Sequence, residues 1–193
     1  IDGLLDQAKN LRAWLRQAAY ATDFSVLFDP QKQLFSIGYR LSDGELDKSY
    51  YDLLASEARQ ASFIAIAKGD VPQSHWFKLG RALTSVRGRK GLVSWSGTMF
   101  EFLMPLIVMK NYPFSLLDVT YRTVVEIQRK YGMEKRVPWG ISESGFYAFD
   151  AQLNYQYKAF GVPGLGLKRG LIQDLVIAPY ATFLALLVEP VAA

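Results

Sequence analysis

The sequence predicts a mainly α fold whose helices are separated by long loops. Three observations carry that reading. Apolar residues recur at helical spacing in five segments. Two of these segments follow a Ser that has a carboxylate three residues on, the pattern of a helix start. The stretches between them are rich in Gly, Pro and aromatic residues, which punctuate helices.

In chain order, Leu4, Leu5, Ala8, Leu11, Leu15 and Ala18 form a stripe, with Asp6, Lys9, Arg12 and Arg16 between them. This is an amphipathic helix ending near Asp23. Over residues 27–39 the pattern changes. Asp29-Pro30 reads as a turn and Leu34-Phe35-Ser36-Ile37 as a strand, which gives a small β-hairpin. Ser42-Asp43-Gly44 is a second turn. Ser49-Tyr50-Tyr51-Asp52 matches a capping box, and Leu53, Leu54, Ala58, Ala61, Ile64 and Ala65 carry a helix to about Lys68. Gly69-Asp70-Val71-Pro72 stops it, and residues 70–95 read as irregular with short extended pieces. A helix over residues 96–109 shows Phe100, Leu103, Met104 and Ile107 on one side. Ser115-Leu116-Leu117-Asp118 caps another, to about Tyr131. Residues 132–178 read mostly as loops, with one short helix after Ser142; Pro179 suits the first turn of a last helix, to about Val188.

The 193 residues bound the chain to a single domain or little more. It begins at Ile1 rather than Met, so it reads as a piece of something longer. With half its residues apolar and 21% charged, it can build a core. The absence of Cys excludes disulfides, thiolate metal sites and a Cys nucleophile. One histidine, His75, excludes a multi-His metal site and reads as a loop or packing residue rather than a catalyst. The longest uncharged apolar run, residues 175–188, contains Pro179 and falls short of the roughly 20 residues that span a bilayer. The opening helix carries charges throughout, unlike a signal peptide. The net charge of +4 comes from two short clusters, Arg81, Arg87, Arg89, Lys90 and Lys168, Arg169, not from a stripe, so no nucleic-acid partner is expected.

Three carboxylates stand out. Glu57 falls on the expected inward stripe of its helix, which means a paired structural carboxylate, a protonated one, or one in a cleft. Glu143 lies in Pro138-Trp139-Gly140-Ile141-Ser142-Glu143, as a nucleophile or base in an aromatic loop or as a plain helix-start residue. Glu101 precedes Pro105 by four residues, so the helix should open beside it. The Gly140 to Gly145 run is one residue too long for G-x-S-x-G, and the glycines of residues 164–170 do not match G-x-G-x-x-G. Glu126 and Lys130 are an exposed i,i+4 pair, and Asp43, Glu45 and Asp47 are solvated turn charges. The chain holds 12 Phe, 11 Tyr and 4 Trp, and the long loops place Trp76, Trp95, Trp139, Tyr155 and Tyr157 as if along one rim. Two carboxylates with an aromatic rim suit glycosidic-bond chemistry, which needs an acid and a nucleophile or base but no metal or cofactor.

Four segments go further. Ser49-Tyr-Tyr-Asp-Leu-Leu-Ala-Ser-Glu57-Ala-Arg59, Trp95-Ser-Gly-Thr-Met-Phe-Glu101, Val137-Pro-Trp-Gly-Ile-Ser-Glu143-Ser and Gly161-Val-Pro-Gly-Leu-Gly-Leu-Lys-Arg169 resemble the glycoamylase-like domain of bacterial cyclic β-1,2-glucan synthases. The resemblance runs over residues 5–190. It implies an (α/α)6 toroid that cyclises linear β-1,2-glucan by retaining transglycosylation. By motif match Glu57 is the acid/base and Glu143 the nucleophile, with proton delivery that can pass through a substrate hydroxyl. It makes Asp52, Arg59, Trp95, Glu101, Trp139, Tyr155, Tyr157 and Arg169 candidates to line the glucan groove. It implies no cofactor, a parent protein in the bacterial inner membrane with this domain soluble on the cytoplasmic side, and the parent's other domains as partners. Residues 1–193 then form one domain fragment of a multidomain protein. The five or six helices make about half a toroid, so the piece is expected to self-associate or to leave an unusually apolar exposed surface, and to be inactive or weakly active alone.

Overall fold

The computed structural model describes residues 2–191. The chain divides into two compact units, residues 1–51 with 61–78, and residues 52–60 with 79–193.

The first unit opens with α1 (Asp2–Ala21). Its apolar stripe is not covered: Leu4, Leu5, Leu11, Trp14 and Leu15 are all exposed. A 3-10 turn at Ser25–Leu27 leads into β1 (Phe28–Asp29), which pairs antiparallel with β2 (Leu34–Ser36) in the expected hairpin. β3 (Tyr39–Arg40) and β4 (Glu45–Leu46) make a second hairpin, held by Arg40 pairing with Asp43 and Glu45. β5 (Tyr50–Tyr51) then adds to β2, with Phe35 opposite Tyr51. The unit's small core joins Phe35, Ala65 and Val71 to Phe24, Leu27, Phe28 and Ile66. Most of α2 (Arg59–Lys68) and all of α3 (Ser74–Lys78) belong here. His75 is fully buried on α3, between the edges of Phe28 and Phe35, so it is a packing histidine.

The expected helix start at Ser49 thus leads into a strand, and α2 begins ten residues later, at Arg59. The Ser-x-x-Asp spacing is outweighed by two backbone partnerships: β5 on β2, and Asp52 and Leu54 bonded to Gly80.

In the second unit, residues 79–95 are more ordered than expected. β6 (Leu83–Val86) and β7 (Arg89–Leu92) form a hairpin about Arg87-Gly88, both with positive φ, the turn a two-residue hairpin favours. α4 (Met99–Leu103) passes into a 3-10 turn at Met104–Ile107 that contains Pro105, the expected opening of the helix. α5 (Leu116–Lys135), capped by the Ser115 side chain, packs on β7 and buries Tyr121, Val124, Val125, Ile127 and Tyr131. Its outer charges pair as expected, Lys130 with Glu126, and Arg87 and Arg89 reach Glu134 and Glu126. No short helix follows Ser142. Instead β8 (Ser144–Phe149) pairs antiparallel with β9 (Tyr155–Lys158), with a register shift between Phe146 and Phe149. α6 (Pro179–Ala185) has Pro179 in its first turn, as expected, and packs against α4.

This architecture overturns the mainly α expectation and the half (α/α)6 toroid. Among the described residues, nine strands in four small antiparallel sheets interleave with the helices, and four of the six α-helices are ten residues or shorter. The physical reason is the aromatic and glycine-rich sequence between the apolar segments, which pairs into hairpins instead of looping between helices. The expectation of self-association, drawn from the half toroid, loses its premise. No helix among the described residues is long and apolar enough to cross a membrane.

Candidate active site

The four sequence segments meet around α4, and apart from residues 49–51 they lie within the second unit. Thr98 caps α4: its hydroxyl accepts the Glu101 N–H at 3.1 Å, and the Glu101 carboxylate reaches back to the Thr98 N–H at 3.0 Å. The same carboxylate accepts from Ser96 N–H at 2.9 Å and from the Ser94 hydroxyl at 2.8 Å. Glu101 is buried, so it does not line a groove; it closes the Ser94-Trp95-Ser96-Gly97 turn on itself. Burial pushes its carboxyl up from the ordinary value, the bonds from Ser96, Thr98 and Ser94 pull it down, and the nearby Glu57 charge adds a smaller upward push.

The glycine-rich segment packs flat against this turn. Leu165 and Leu167 exchange backbone bonds with Ser94, and Lys168 N–H donates to Trp95 O. A Cβ on Gly161 would lie 1.8 Å from Ser96 O, so only glycine admits this approach. From the other side, the buried Gln128 amide on α5 bonds both N–H and C=O of Ile141, at 2.9 and 2.8 Å. This fixes the Glu143 loop, and Ser142 Oγ accepts the Phe100 N–H at 3.0 Å.

Arg59, expected in the groove, is buried instead. It donates to Ser56 O, Glu101 O, Phe102 O and Tyr121 Oη, and clamps the Glu57 turn to the end of α4. Burial lowers its pKa, against smaller opposing pulls from Tyr121 and Glu57. Glu57 itself lies in the turn before α2 and is half-buried, with Ser56 Oγ 3.2 Å from its Oε2. It therefore owes its position to Arg59 and not to a helix stripe.

Glu143 sits half-buried just ahead of β8, and hydroxyls from three other elements hold it. Tyr157 on β9 donates to Oε2 at 2.6 Å. Thr98 lies 3.4 Å from Oε1. The Thr98 hydroxyl has one proton and already accepts from Glu101 N–H. Glu101 Oε2 has three other donors, so that proton is better spent on Glu143. Tyr180 on α6 stands 2.8 Å from both the Glu143 carbonyl and Ser142 Oγ. With Ser142 donating to Tyr180 and Tyr180 to the carbonyl, every proton has a place.

The remaining candidates divide. Trp95 is half exposed, and its indole N–H donates to Asp52 Oδ1 at 3.2 Å, which fixes the ring. Tyr155 and Tyr157 are exposed on one face of β9, and the Tyr155 ring lies across Gly145. Trp139 packs its Cβ on Gly132, and Arg169 is exposed beside a cavity of about 80 Å³ that also takes in Lys158, Lys168 and Asp174. Trp76 is on α3 in the first unit, and the other four expected rim aromatics belong to the second. Sequence reasoning missed Thr98, Ser142 and Tyr180. Only Thr98 left a signal, the Thr-x-x-Glu spacing to Glu101. Among the described residues no group of three or more His, Asp or Glu side chains is placed to hold a metal ion.

Comparison with known proteins adds two findings. The family model Glycoamylase, described as "Putative glucoamylase", matches residues 49–193. The chain is also 52% identical over 190 residues to a protein of Rhizobium meliloti (strain 1021) named cyclic beta-(1,2)-glucan synthase NdvB. That alignment covers 98% of this chain but only 7% of the relative's length.

Proposed function

The chain belongs to the glycoamylase family, and from that premise we propose that it is a carbohydrate-active domain that acts on β-1,2-glucan by retaining transglycosylation and cyclises linear chains. Glu143 is the nucleophile and Glu57 the acid/base. Residues 1–193 act as one domain of a longer synthase whose other domains and whose glucan are its partners. The small share of the relative that the chain covers supports that placement.

One observation carries the reading: two half-buried glutamates flank a single buried carboxylate. Glu57 acts electrostatically on Glu101, and Glu101 and Glu143 border the same Thr98 hydroxyl. Retaining chemistry asks for a carboxylate pair at one locus with differing surroundings. Glu143 has two hydroxyl donors on its carboxylate, one on each oxygen, which aim it as a nucleophile. Among the described residues the Glu57 carboxylate has one hydrogen-bond neighbour, the Ser56 hydroxyl at 3.2 Å, so a sugar hydroxyl can approach its other oxygen. Trp95, braced by Asp52, and the exposed faces of Tyr155 and Tyr157 offer the apolar surfaces on which pyranose rings pack.

The test is Glu57→Gln and Glu143→Gln in the full-length protein, with linear β-1,2-glucan as substrate. Each is expected to lose about 10²–10⁴-fold in turnover. Undiminished turnover by both would leave a glucan-binding module that catalyses nothing.

A further inference from the structure

We propose that Tyr157 is a positioning residue for Glu143, more than a surface on which sugar stacks. This deepens the reading of Glu143 as nucleophile and rests on it.

The geometry is specific. Tyr157 is on β9 opposite Gly145, and Glu143 lies two residues before Gly145 in the chain. The hairpin register therefore sets the phenol end of Tyr157 beside the carboxylate, and the 2.6 Å O–H···O distance is that of a charge-assisted bond. The missing side chain at Gly145 opens the face, because a Cβ there would meet the Tyr155 ring. The Tyr157 ring is exposed while its hydroxyl is engaged. Desolvation of that end, together with the bond to Glu143 and its charge, keeps the phenol protonated far above its ordinary titration range. The hydroxyl is thus a permanent donor, and Glu143 Oε2 its acceptor.

The other contacts of Glu143 do not replace it. Thr98 meets the opposite oxygen at the longer distance of 3.4 Å, and Tyr180 holds only the main chain. Without the Tyr157 hydroxyl, the carboxylate can rotate about its last torsion, a broad two-fold well that nothing else on Oε2 restrains. A nucleophile needs its attacking oxygen aligned with the anomeric carbon, and angular freedom there is costly.

Two variants of the full-length protein separate positioning from stacking. Tyr157→Phe keeps the ring and removes the hydroxyl; Tyr157→Ala removes both. With linear β-1,2-glucan, Tyr157→Phe is expected to lower kcat about ten- to hundredfold, the worth of a hydrogen bond to a charged group, with KM within about twofold. Tyr157→Ala should lower kcat as much and raise KM as well. Tyr157→Phe is expected to unfold thermally at the wild-type midpoint, since the ring is exposed, and that match checks that the fold is intact. Wild-type kcat in Tyr157→Phe, beside an inactive Glu143→Gln, overturns the positioning role and leaves the nucleophile standing. Wild-type turnover by Glu143→Gln overturns the nucleophile itself.

Discussion

Glu101 is wrapped in N–H groups and hydroxyls and Glu143 in hydroxyls, yet the deeper difference is where those donors come from. Every donor to the Glu101 carboxylate comes from Ser94, Ser96 or Thr98, within seven residues, and the group is buried. The donors to Glu143 come from the α4 cap, from β9 and from α6, and the group is half exposed. Local saturation closes a turn. Convergence from distant elements onto a group that solvent still reaches builds a site, because only the finished fold can assemble it. The motif match made Glu143 a nucleophile and Glu101 a groove candidate; in the structure they differ by where their partners come from.

The largest effect that tests this contrast is on stability. Glu101→Ala strands the Ser96 and Thr98 N–H groups and the Ser94 hydroxyl inside a buried turn. Each such donor costs about 1–3 kcal/mol. Glu101→Ala is therefore expected to cost about 3–5 kcal/mol, read from the urea midpoint at constant slope. Glu101→Gln, which keeps one acceptor oxygen, should lose less. A loss below about 1 kcal/mol for the alanine variant would mean that the turn stands without its carboxylate, and the contrast fails.

What could be read from the sequence follows the same division. The hairpin at Asp29-Pro30, the Ser115 cap, the opening at Pro105 and Pro179 at the head of α6 are local, and all four are present. Ser49 and Ser142 have equally good local patterns, and both failed. Tyr51 pairs with Phe35, and Ser142 Oγ takes the Phe100 N–H across 42 residues. Spacing cannot report either partner. The Glu57 and Glu143 positions were legible only as motifs. Arg59 is in the same motif as Glu57, but the partners that anchor it to α4 and α5 are 42 or more residues away, and Tyr180 reaches Glu143 from 37 residues on. Arg59 misled the reading because a cation in a motif suggests substrate, whereas here its donors go to main-chain carbonyls and a phenol.

His75 sharpens the contrast, because its partners are distant but it is fully buried. Its ring nitrogens meet Gln33 O and Ser62 Oγ, each at 2.8 Å. Nδ1 donates to the carbonyl and Nε2 accepts from the hydroxyl, so the neutral ring is satisfied, and a second proton would place a charge in a buried site. Burial lowers its pKa from 6.5, outweighing the opposing bond to Gln33. The unfolded chain then binds the proton first as pH falls. Stability is complete above 6.5 and declines below it, until the folded ring also protonates. The urea midpoint of the protein, followed from pH 8 downward against His75→Gln, should show an acid slope that the variant lacks near 6.5. Identical slopes would mean that carboxylates alone set the acid limit. Distance of partners is then not enough to mark a site; access to solvent is the second requirement.

The smallest effect tests the open side of that rule. A Cβ on Gly145 would come within 2.0 Å of the Tyr155 hydroxyl, yet that atom is the tip of an exposed side chain and can swing away. The Gly145 backbone lies outside the left-handed region, so alanine meets no strain there. Gly145→Ala should shift stability by less than about 0.5 kcal/mol. It should still move Tyr155 off β8, beside the carboxylate and the Tyr157 hydroxyl, and so raise KM for linear β-1,2-glucan a few-fold while kcat stays near wild type. The opposite pattern, an unfolded protein or a lost kcat with KM unchanged, would show that this rim is as rigid as the Glu101 turn. The two glutamates would then be alike in kind: two parts of one closed scaffold, not a scaffold and the site it carries.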